Sequence, residues 1–478
     1  MSLKFMNNFL IFLFVLFTGQ LYAADFRIQI TGNFPGAEGQ VVRLLEYADM
    51  VSYYEREIGS DKVDENGNFS INLIRYKAQY VFFRIDHARM GFFIEPGQNY
   101  QLRFDPVDFS QLDDSRNPYL DPWYFHFQIV EPAVTLNGHI NALEDEFHEF
   151  LIENFARVHQ GRNRRLFDEF RSHTDTLFGH INNEYFRNYY EYKFAYYYRI
   201  ANIERFHEQM RAHLLNRPVL YQNTQYMNFF NTVFDTYVFA GSRNIQGSDL
   251  RYTVNRLNSY HALMDSLGKD TILRNEVLRE LVMLKALQDM HGDSDYRQQN
   301  IENILNYIST NSKFPEHRSV AGNILFKKNN LVRGTPSPSI VVYDENNNPV
   351  RIPEDFQGKF IYLGFWASWC ESCMLEFIAL RELLDKYHGE IVFINISTER
   401  NPVIFNAYLN SADHGWLDFH FHHDFRILDA FKVRALPTFV LFDNSGNILD
   451  YPALKPSDNL NQRFDRILNQ RLSPGSQR

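Results

Sequence analysis

The chain has only two cysteines, Cys370 and Cys373, and their surroundings restrict the local fold more than any other feature. The apolar run KFIYLGFW stands just before them, and CESCMLEFIALRELLDKY begins with them. A short apolar run predicts a buried strand, whereas apolar residues spaced three and four apart predict a helix. We therefore expect a strand-to-helix junction, with Cys370 at the helix N-terminus and Cys373 one turn further along the same face.

The sequence around this junction, from residue 333 to about 472, alternates between strand and helix patterns. EIVFINIS and PTFVLFD predict buried strands, and VIFNAYLN and LNQRFDRILNQ predict helices. Helices that alternate with buried strands predict an α/β domain with a central mixed sheet. The Gly-, Pro- and Ser-containing stretch VRGTPSPSI marks a linker in front of it.

The upstream sequence has two different characters. Residues 25–110 are strand-like: FRIQITG alternates apolar and polar residues, and VDENGNFSINL centres Asn66-Gly67 between two strand-like runs, which predicts a hairpin. Residues 115–330 show helical periodicity instead. We therefore predict a multidomain chain with an N-terminal β-sandwich-like domain, an all-helical middle region and the C-terminal α/β domain.

Within the helical region, Tyr185, Tyr189, Tyr192 and Tyr196 form a stripe along one side of a helix. A stripe of this kind can bind peptides, but it more often packs into a core between helices. We interpret it as core.

Residues 1–23 have the layout of a secretory signal peptide, with Lys4, an apolar run from Phe9 to Phe17 and small residues ending at Ala23. The apolar run is about half the roughly 20 residues that a membrane-spanning helix needs, which disfavours an uncleaved anchor. We expect cleavage after Ala23 and a periplasmic or otherwise exported protein. A bridge between Cys370 and Cys373 closes too small a loop to add much stability, so redox chemistry explains the pair better.

At a helix N-terminus, unpaired N–H groups and the helix dipole stabilise a thiolate, which is the attacking species in disulfide exchange. Cys370 is therefore the expected nucleophile, and Cys373 is the expected resolving thiol. The Glu371 carboxylate opposes a neighbouring thiolate, which favours a reducing couple at roughly −270 to −180 mV. Glu371 also suits a helix start with no tuning role, and the sequence leaves both interpretations open.

The stretches FWASWCESCMLEF and VRALPTFVLFDNSGNIL together resemble thioredoxin-like proteins, in particular the exported TlpA-like branch. The resemblance covers about residues 333–472 and implies a thioredoxin-like fold there. It implies that Leu436 and Pro437 form a cis-proline segment that faces the cysteines and binds substrate, with Trp369 as a further substrate-binding residue. It also implies a role for Glu376, which takes the position of a glutamate that could accept a proton from Cys373; the alternative is a surface glutamate.

The sequence departs from that family at two positions. Thioredoxins keep a buried acid on the strand before the cysteines, where this chain has Gly364, and Ile378 stands where the family often has a helix-kinking proline. The β-domain followed by a helical region also resembles the layout of a group of exported Bacteroidetes proteins, which implies no activity for those regions.

Other functional classes fit less well. The net charge of −10 and the absence of a long basic run argue against a nucleic-acid partner. HFHHD, residues 420–424, could suggest a metal, but no second ligand cluster accompanies it. Ala367 stands where a peroxidase of the peroxiredoxin type needs Thr or Ser.

These observations predict an exported thiol–disulfide oxidoreductase that needs no cofactor beyond the redox-active Cys370–Cys373 disulfide. Its expected partners are protein thiol or disulfide clients and a membrane-bound thiol reductase as electron donor. The alternative is a client- or ligand-binding protein in which the C-terminal domain is accessory. The sequence does not separate reduction of disulfides from their isomerisation.

Overall fold

The structure is a computed structural model, and it describes residues 26–85, 88–109, 124–159, 163–235, 237–329, 331–411 and 414–471. The predicted signal peptide, residues 1–23, lies outside the described residues. The chain divides into two compact units: the first holds residues 26–85, 90–107 and 125–327, and the second is formed mainly by the chain from Lys328 onward. No helix in these described ranges is long and apolar enough to cross a membrane.

The N-terminal part contains two four-stranded sheets, with strand orders β4-β1-β7-β8 and β3-β2-β5-β6. The sheets face each other through aromatic side chains: the Phe69 and Phe83 rings, one from each sheet, lie 5.7 Å apart. The predicted β-sandwich-like architecture is confirmed. The strands are β1 (Arg27–Asn33), β2 (Val41–Tyr47), β3 (Glu55–Lys62), β4 (Asn68–Ile74), β5 (Gln79–Ile85), β6 (Ala88–Ile94), β7 (Tyr100–Phe104) and β8 (Phe127–Glu131).

The prediction of a β-hairpin at Asn66-Gly67 is wrong. The turn itself is present, because the Gly67 N–H donates to the Asp64 carbonyl at 3.0 Å. However, the strands that it joins belong to different sheets, since β3 pairs with β2 whereas β4 pairs with β1. The side chains of the two strands are buried to different extents, which fits their places in different sheets. β4 points Phe69, Ile71 and Leu73 into the core, whereas β3 has no buried residue.

The middle region consists of helices. Among the described residues between position 115 and the linker, β8 is the only strand. The tyrosine stripe on α3 packs into the core, because Tyr185, Tyr189 and Tyr192 are all buried. The interpretation as core is confirmed for these three. The helices are α1 (Leu136–His159), α2 (Arg164–Phe178), α3 (Glu184–Ile200), α4 (Phe206–His213), α5 (Thr224–Phe234), α6 (Gly247–Tyr252), α7 (Tyr260–Gly268), α8 (Glu276–Met290), α9 (Gln298–Asn311) and α10 (Pro315–Asn329).

The second unit is built on a seven-stranded mixed sheet with strand order β10-β9-β13-β12-β11-β14-β15. β11 runs parallel to β12 and antiparallel to β14, so the predicted mixed sheet is confirmed. The strands are β9 (Ile340–Tyr343), β10 (Pro349–Ile352), β11 (Phe360–Trp366), β12 (Ile391–Ser397), β13 (Leu417–His420), β14 (Thr438–Phe442) and β15 (Ile448–Asp450). The helices are α11 (Glu371–Tyr387), α12 (Pro402–Leu409), α13 (Arg426–Ala430) and α14 (Leu460–Arg471). Sequence patterns missed β10 and α13, which are four and five residues long.

Successive residues of the central strand β11 point to opposite faces of the sheet. Leu363 and Phe365 join one apolar cluster, whereas Tyr362 and Trp366 join the other, which also contains both cysteines. All seven residues of β11 are buried. The strand is therefore fully covered on both faces, and the cysteine-bearing loop follows directly after it.

Candidate active site

The two cysteines lie at the predicted junction between β11 and α11. β11 ends at Trp366, and Cys370 is the N-cap residue of α11, with extended backbone angles φ −87° and ψ 91°. The four residues Ala367 to Cys370 form a tight turn, because the Cys370 N–H donates to the Ala367 carbonyl at 3.1 Å. The end of the strand and the start of the helix thus fix the position of Cys370 from both sides.

The two sulfurs are bonded to each other, with an Sγ–Sγ distance of 2.08 Å. The Cys373 N–H donates to Cys370 Sγ at 3.2 Å, so the sulfur of Cys370 caps the helix in place of a side-chain oxygen. Ser372 Oγ lies 3.4 Å from the same sulfur. Cys370 is 6% exposed and Cys373 is fully buried, so Cys370 is the one of the two cysteines with surface that a partner can contact.

Three further predicted site residues lie around the cysteines. Trp369 is 42% exposed, directly before Cys370. The Leu436–Pro437 peptide bond is cis, and the Leu436 side chain packs against the apolar cluster that contains both cysteines. Thr438 pairs with Phe365, so the antiparallel register brings Pro437 next to the end of β11.

Glu376 lies one helical turn after Cys373, on the buried side of α11. The residue is 9% exposed, and its carboxylate accepts hydrogen bonds from the Ser457 backbone N–H at 3.0 Å and the Ser457 hydroxyl at 2.9 Å. Burial raises the pKa of the nearby Tyr362 phenol well above its usual value, and the charge of Glu376 adds to the effect. A carboxylate in a covered site near Cys373 suits proton transfer more than a surface position would.

The two departures from the family pattern have different consequences. A Cβ atom at Gly364 would lie 2.7 Å from Asn395 Oδ1 and 2.7 Å from a ring carbon of Phe439, so these two buried side chains fill the place of the acid. Ile378 causes no break: α11 is one helix of 17 residues, and the Ile378 side chain is exposed.

Sequence patterns missed Glu399, which follows β12 and is 1% exposed. Its carboxylate accepts a hydrogen bond from the backbone N–H of Ser368, inside the cysteine-bearing turn. β11 and β12 are parallel, so their carboxyl ends meet at one edge of the sheet. An acid just after a buried parallel strand is the sequence signal that could have revealed it.

The hydrogen bonds of the HFHHD histidines do not favour a metal site. Both ring nitrogens of His420 are occupied, because Nε2–H donates to the Glu399 carbonyl at 2.6 Å and Nδ1 accepts from the His422 N–H at 3.1 Å. Burial lowers the pKa of His420 to about 4, which keeps the ring neutral near pH 7. In the part of the chain that the structure describes, no group of three or more His, Cys, Asp or Glu side chains could hold a metal ion.

Comparisons with known proteins match the region of the chain that contains the two cysteines. A sequence model described as thioredoxin-like matches residues 358–448. The thiol–disulfide oxidoreductase ResA of Bacillus subtilis is 28% identical over 128 residues, which cover 26% of this chain and 68% of that protein. ResA of Geobacillus kaustophilus is 28% identical over 138 residues, which cover 26% of this chain and 72% of that protein.

A solved structure of a candidate thiol–disulfide oxidoreductase from Bacteroides vulgatus is also similar to this chain. It is 31% identical, covers 29% of this chain and 93% of its own, and has a TM-score of 0.27. None of these matches covers the N-terminal β-rich region or the helical middle.

Proposed function

The C-terminal region of this chain belongs to the thioredoxin-like family of thiol–disulfide oxidoreductases, and we propose that the protein reduces the disulfides of exported proteins at Cys370 and Cys373. One observation carries this proposal: the sulfur of Cys370 accepts the N–H of Cys373 at the start of α11, with the second sulfur within bonding distance. A helix N-terminus stabilises the thiolate that must attack. The sulfur of Cys373, bonded to that of Cys370 in this structure, is close enough to act as the resolving thiol.

The reaction starts from the reduced dithiol. The Cys370 thiolate attacks one sulfur of a client disulfide, so a Cys370–client disulfide forms and the other client sulfur leaves as a thiolate. The Cys373 thiolate then attacks Cys370 Sγ, which breaks the mixed disulfide and releases the second client thiolate. Two electrons pass from the protein dithiol to the client, the client thiolates take up two protons, and the Cys370–Cys373 disulfide remains.

Two features support a client-binding role for the residues around the cysteines. Trp369 offers exposed aromatic surface directly beside Cys370, and Leu436 and Pro437 are partly exposed on the neighbouring segment. A client chain that lies along the Leu436–Pro437 backbone would present its disulfide to Cys370. The signal-like sequence of residues 1–23 supports export, and electrons would then return to the disulfide from a membrane-bound dithiol reductase.

The alternative function, a client- or ligand-binding protein, is favoured by a cavity in the first unit. It has a volume of about 480 Å³ and lies between the β-rich part and the helices, with Tyr185, Tyr221 and Asn223 in its wall. In that case the thiols would be accessory, and binding would not depend on either cysteine.

The direct test of the proposed function is a Cys373→Ser variant expressed with exported proteins. Because the chain has no other cysteine, any disulfide-linked client must be attached through Cys370. We expect mixed disulfides that are visible on a non-reducing gel, disappear with dithiothreitol and carry a Cys370 linkage by mass spectrometry. A double variant that also carries Cys370→Ser should trap nothing.

Three other outcomes would count against the proposal. If Cys373→Ser traps no client, disulfide exchange is not the activity. If the double variant retains the same partners as Cys373→Ser, the binding alternative is favoured. Recovery of activity from scrambled ribonuclease at a higher rate than insulin reduction would instead indicate isomerisation.

A further inference from the structure

The loop that follows β12 is hydrogen-bonded to the loop that follows β11. The Thr398 N–H and hydroxyl both donate to the Trp366 carbonyl, at 2.9 and 3.2 Å. One residue later, the Glu399 carboxylate accepts the N–H of Ser368. These bonds attach the turn before Cys370 to the neighbouring parallel strand.

The position of Glu399 is itself fixed on several sides. Its N–H donates to Ser397 Oγ at 3.3 Å, and its carbonyl accepts from His420 Nε2 at 2.6 Å. The side chain is 1% exposed, so water does not screen its charge as it would at the surface. A buried carboxylate held this way differs from the exposed acids of α11, such as Glu371 and Glu382.

We propose that Glu399 is a positioning residue for disulfide exchange, which holds the turn through Ser368 and sets a buried negative charge behind Cys370. This inference rests on the proposed function. Cys370 follows Ser368 by two residues, so chain geometry puts its thiol within about 10 Å of the carboxylate. A negative charge at that distance disfavours a thiolate and opposes the effect of the helix N-terminus.

The size of the effect follows from the distance. At an effective dielectric constant of about 20, a charge about 10 Å away changes a pKa by up to about one unit. Other titratable groups near the turn are Glu371 and Glu376 on α11, Arg400, His420 at the end of β13, and His422 and His423 just after it. Burial lowers the pKa values of His420 and His423 to about 4, so neither ring offsets the charge of Glu399 near pH 7. Burial lowers the pKa of Arg400 only to about 10, so this side chain stays cationic. A less stable thiolate makes the couple more reducing.

The test compares two variants, each of which removes one negative charge, at different distances from Cys370. Glu399→Gln keeps an oxygen that can accept the Ser368 N–H, and Glu390→Gln removes an exposed carboxylate just before the opposite end of β12. The readout is the pKa of Cys370, taken from the pH dependence of its alkylation by iodoacetamide in the reduced protein. We expect Glu399→Gln to lower this pKa by about 0.5 to 1 unit, and Glu390→Gln to leave it unchanged.

A third variant isolates the hydrogen bond to Ser368. Glu399→Ala removes both charge and acceptor, so it should lower the pKa and also reduce kcat/KM for insulin about tenfold, whereas Glu399→Gln should keep most of kcat/KM. If Glu399→Ala does not fold, Glu399→Asp serves instead: it keeps the charge but is too short to reach Ser368. It should show a pKa close to that of the wild type and a reduced kcat/KM.

The outcomes separate this inference from the proposed function. An unchanged Cys370 pKa in Glu399→Gln would overturn the electrostatic role, and full kcat/KM in Glu399→Ala or Glu399→Asp would overturn the positioning role. A wild-type protein that never reduces insulin would overturn the proposed function. The alkylation experiment would still decide the electrostatic role in that case, because it needs no client.

Discussion

Replacing Cys370 by serine should reduce the rate of insulin disulfide reduction by more than about 1,000-fold. Serine keeps the shape of the N-cap, but its hydroxyl is not ionised near neutral pH and forms no disulfide. The Cys373 thiol cannot substitute, because it is fully buried. The assay is the turbidity of reduced insulin with the protein as catalyst and dithiothreitol as electron source.

The loss must be separated from unfolding. Closing a four-residue loop stabilises a chain by at most about 2 kcal/mol in the loop-entropy model, so the variant should remain folded. Far-UV circular dichroism and the thermal midpoint, both compared with the reduced wild type, check this. A folded Cys370→Ser variant with more than a tenth of the wild-type rate would contradict the role of Cys370 as nucleophile.

Replacing Glu376 by glutamine should slow insulin reduction by about 100-fold, the lower end of the range for general acid–base groups. The physical reason is the burial of Cys373: no solvent reaches its thiol, so the proton must leave to a group within the protein. Glu376 is three residues further along the helix, which places the two Cβ atoms about 5–6 Å apart. Glutamine keeps the size of the side chain and an acceptor for Ser457, but it cannot take the proton.

The two steps of the reaction distinguish this role from a structural one. Glu376→Gln should accumulate the Cys370 mixed disulfide while Cys370 is alkylated at the wild-type rate, since only the second attack needs the base. Glu382→Gln, an exposed change on the same helix, is the matched control and should behave as wild type. Equal slowing of both steps, or no slowing at all, would refute proton transfer by Glu376.

The parts of the site that sequence patterns predicted are local ones. A buried strand, a turn and the first turn of a helix all lie within a dozen residues. The periodicity around Cys370 and Cys373 was therefore enough to place both thiols at the start of α11. The cis Leu436–Pro437 bond came from the family resemblance, because no propensity of those residues alone demands it.

The parts that were missed depend on residues far apart in the sequence. Glu399 contacts Ser368 from 31 positions away, and its place beside the turn follows only from the parallel pairing of β11 and β12. Gly364 is explained by Asn395 and Phe439, which approach it from two neighbouring strands. The hairpin at Asn66-Gly67 failed for the same reason: the turn is local, but the choice of sheet for β3 and β4 is set by their distant partners.

The reduction potential of the Cys370–Cys373 pair, measured by equilibration with glutathione, tests the central claim most directly. An exchange-active, reducing couple requires a value between roughly −270 and −180 mV. A value below about −300 mV would mean a structural disulfide that clients and donors do not exchange, and a value near −120 mV would mean a strong oxidant. Either of the last two results would contradict the account.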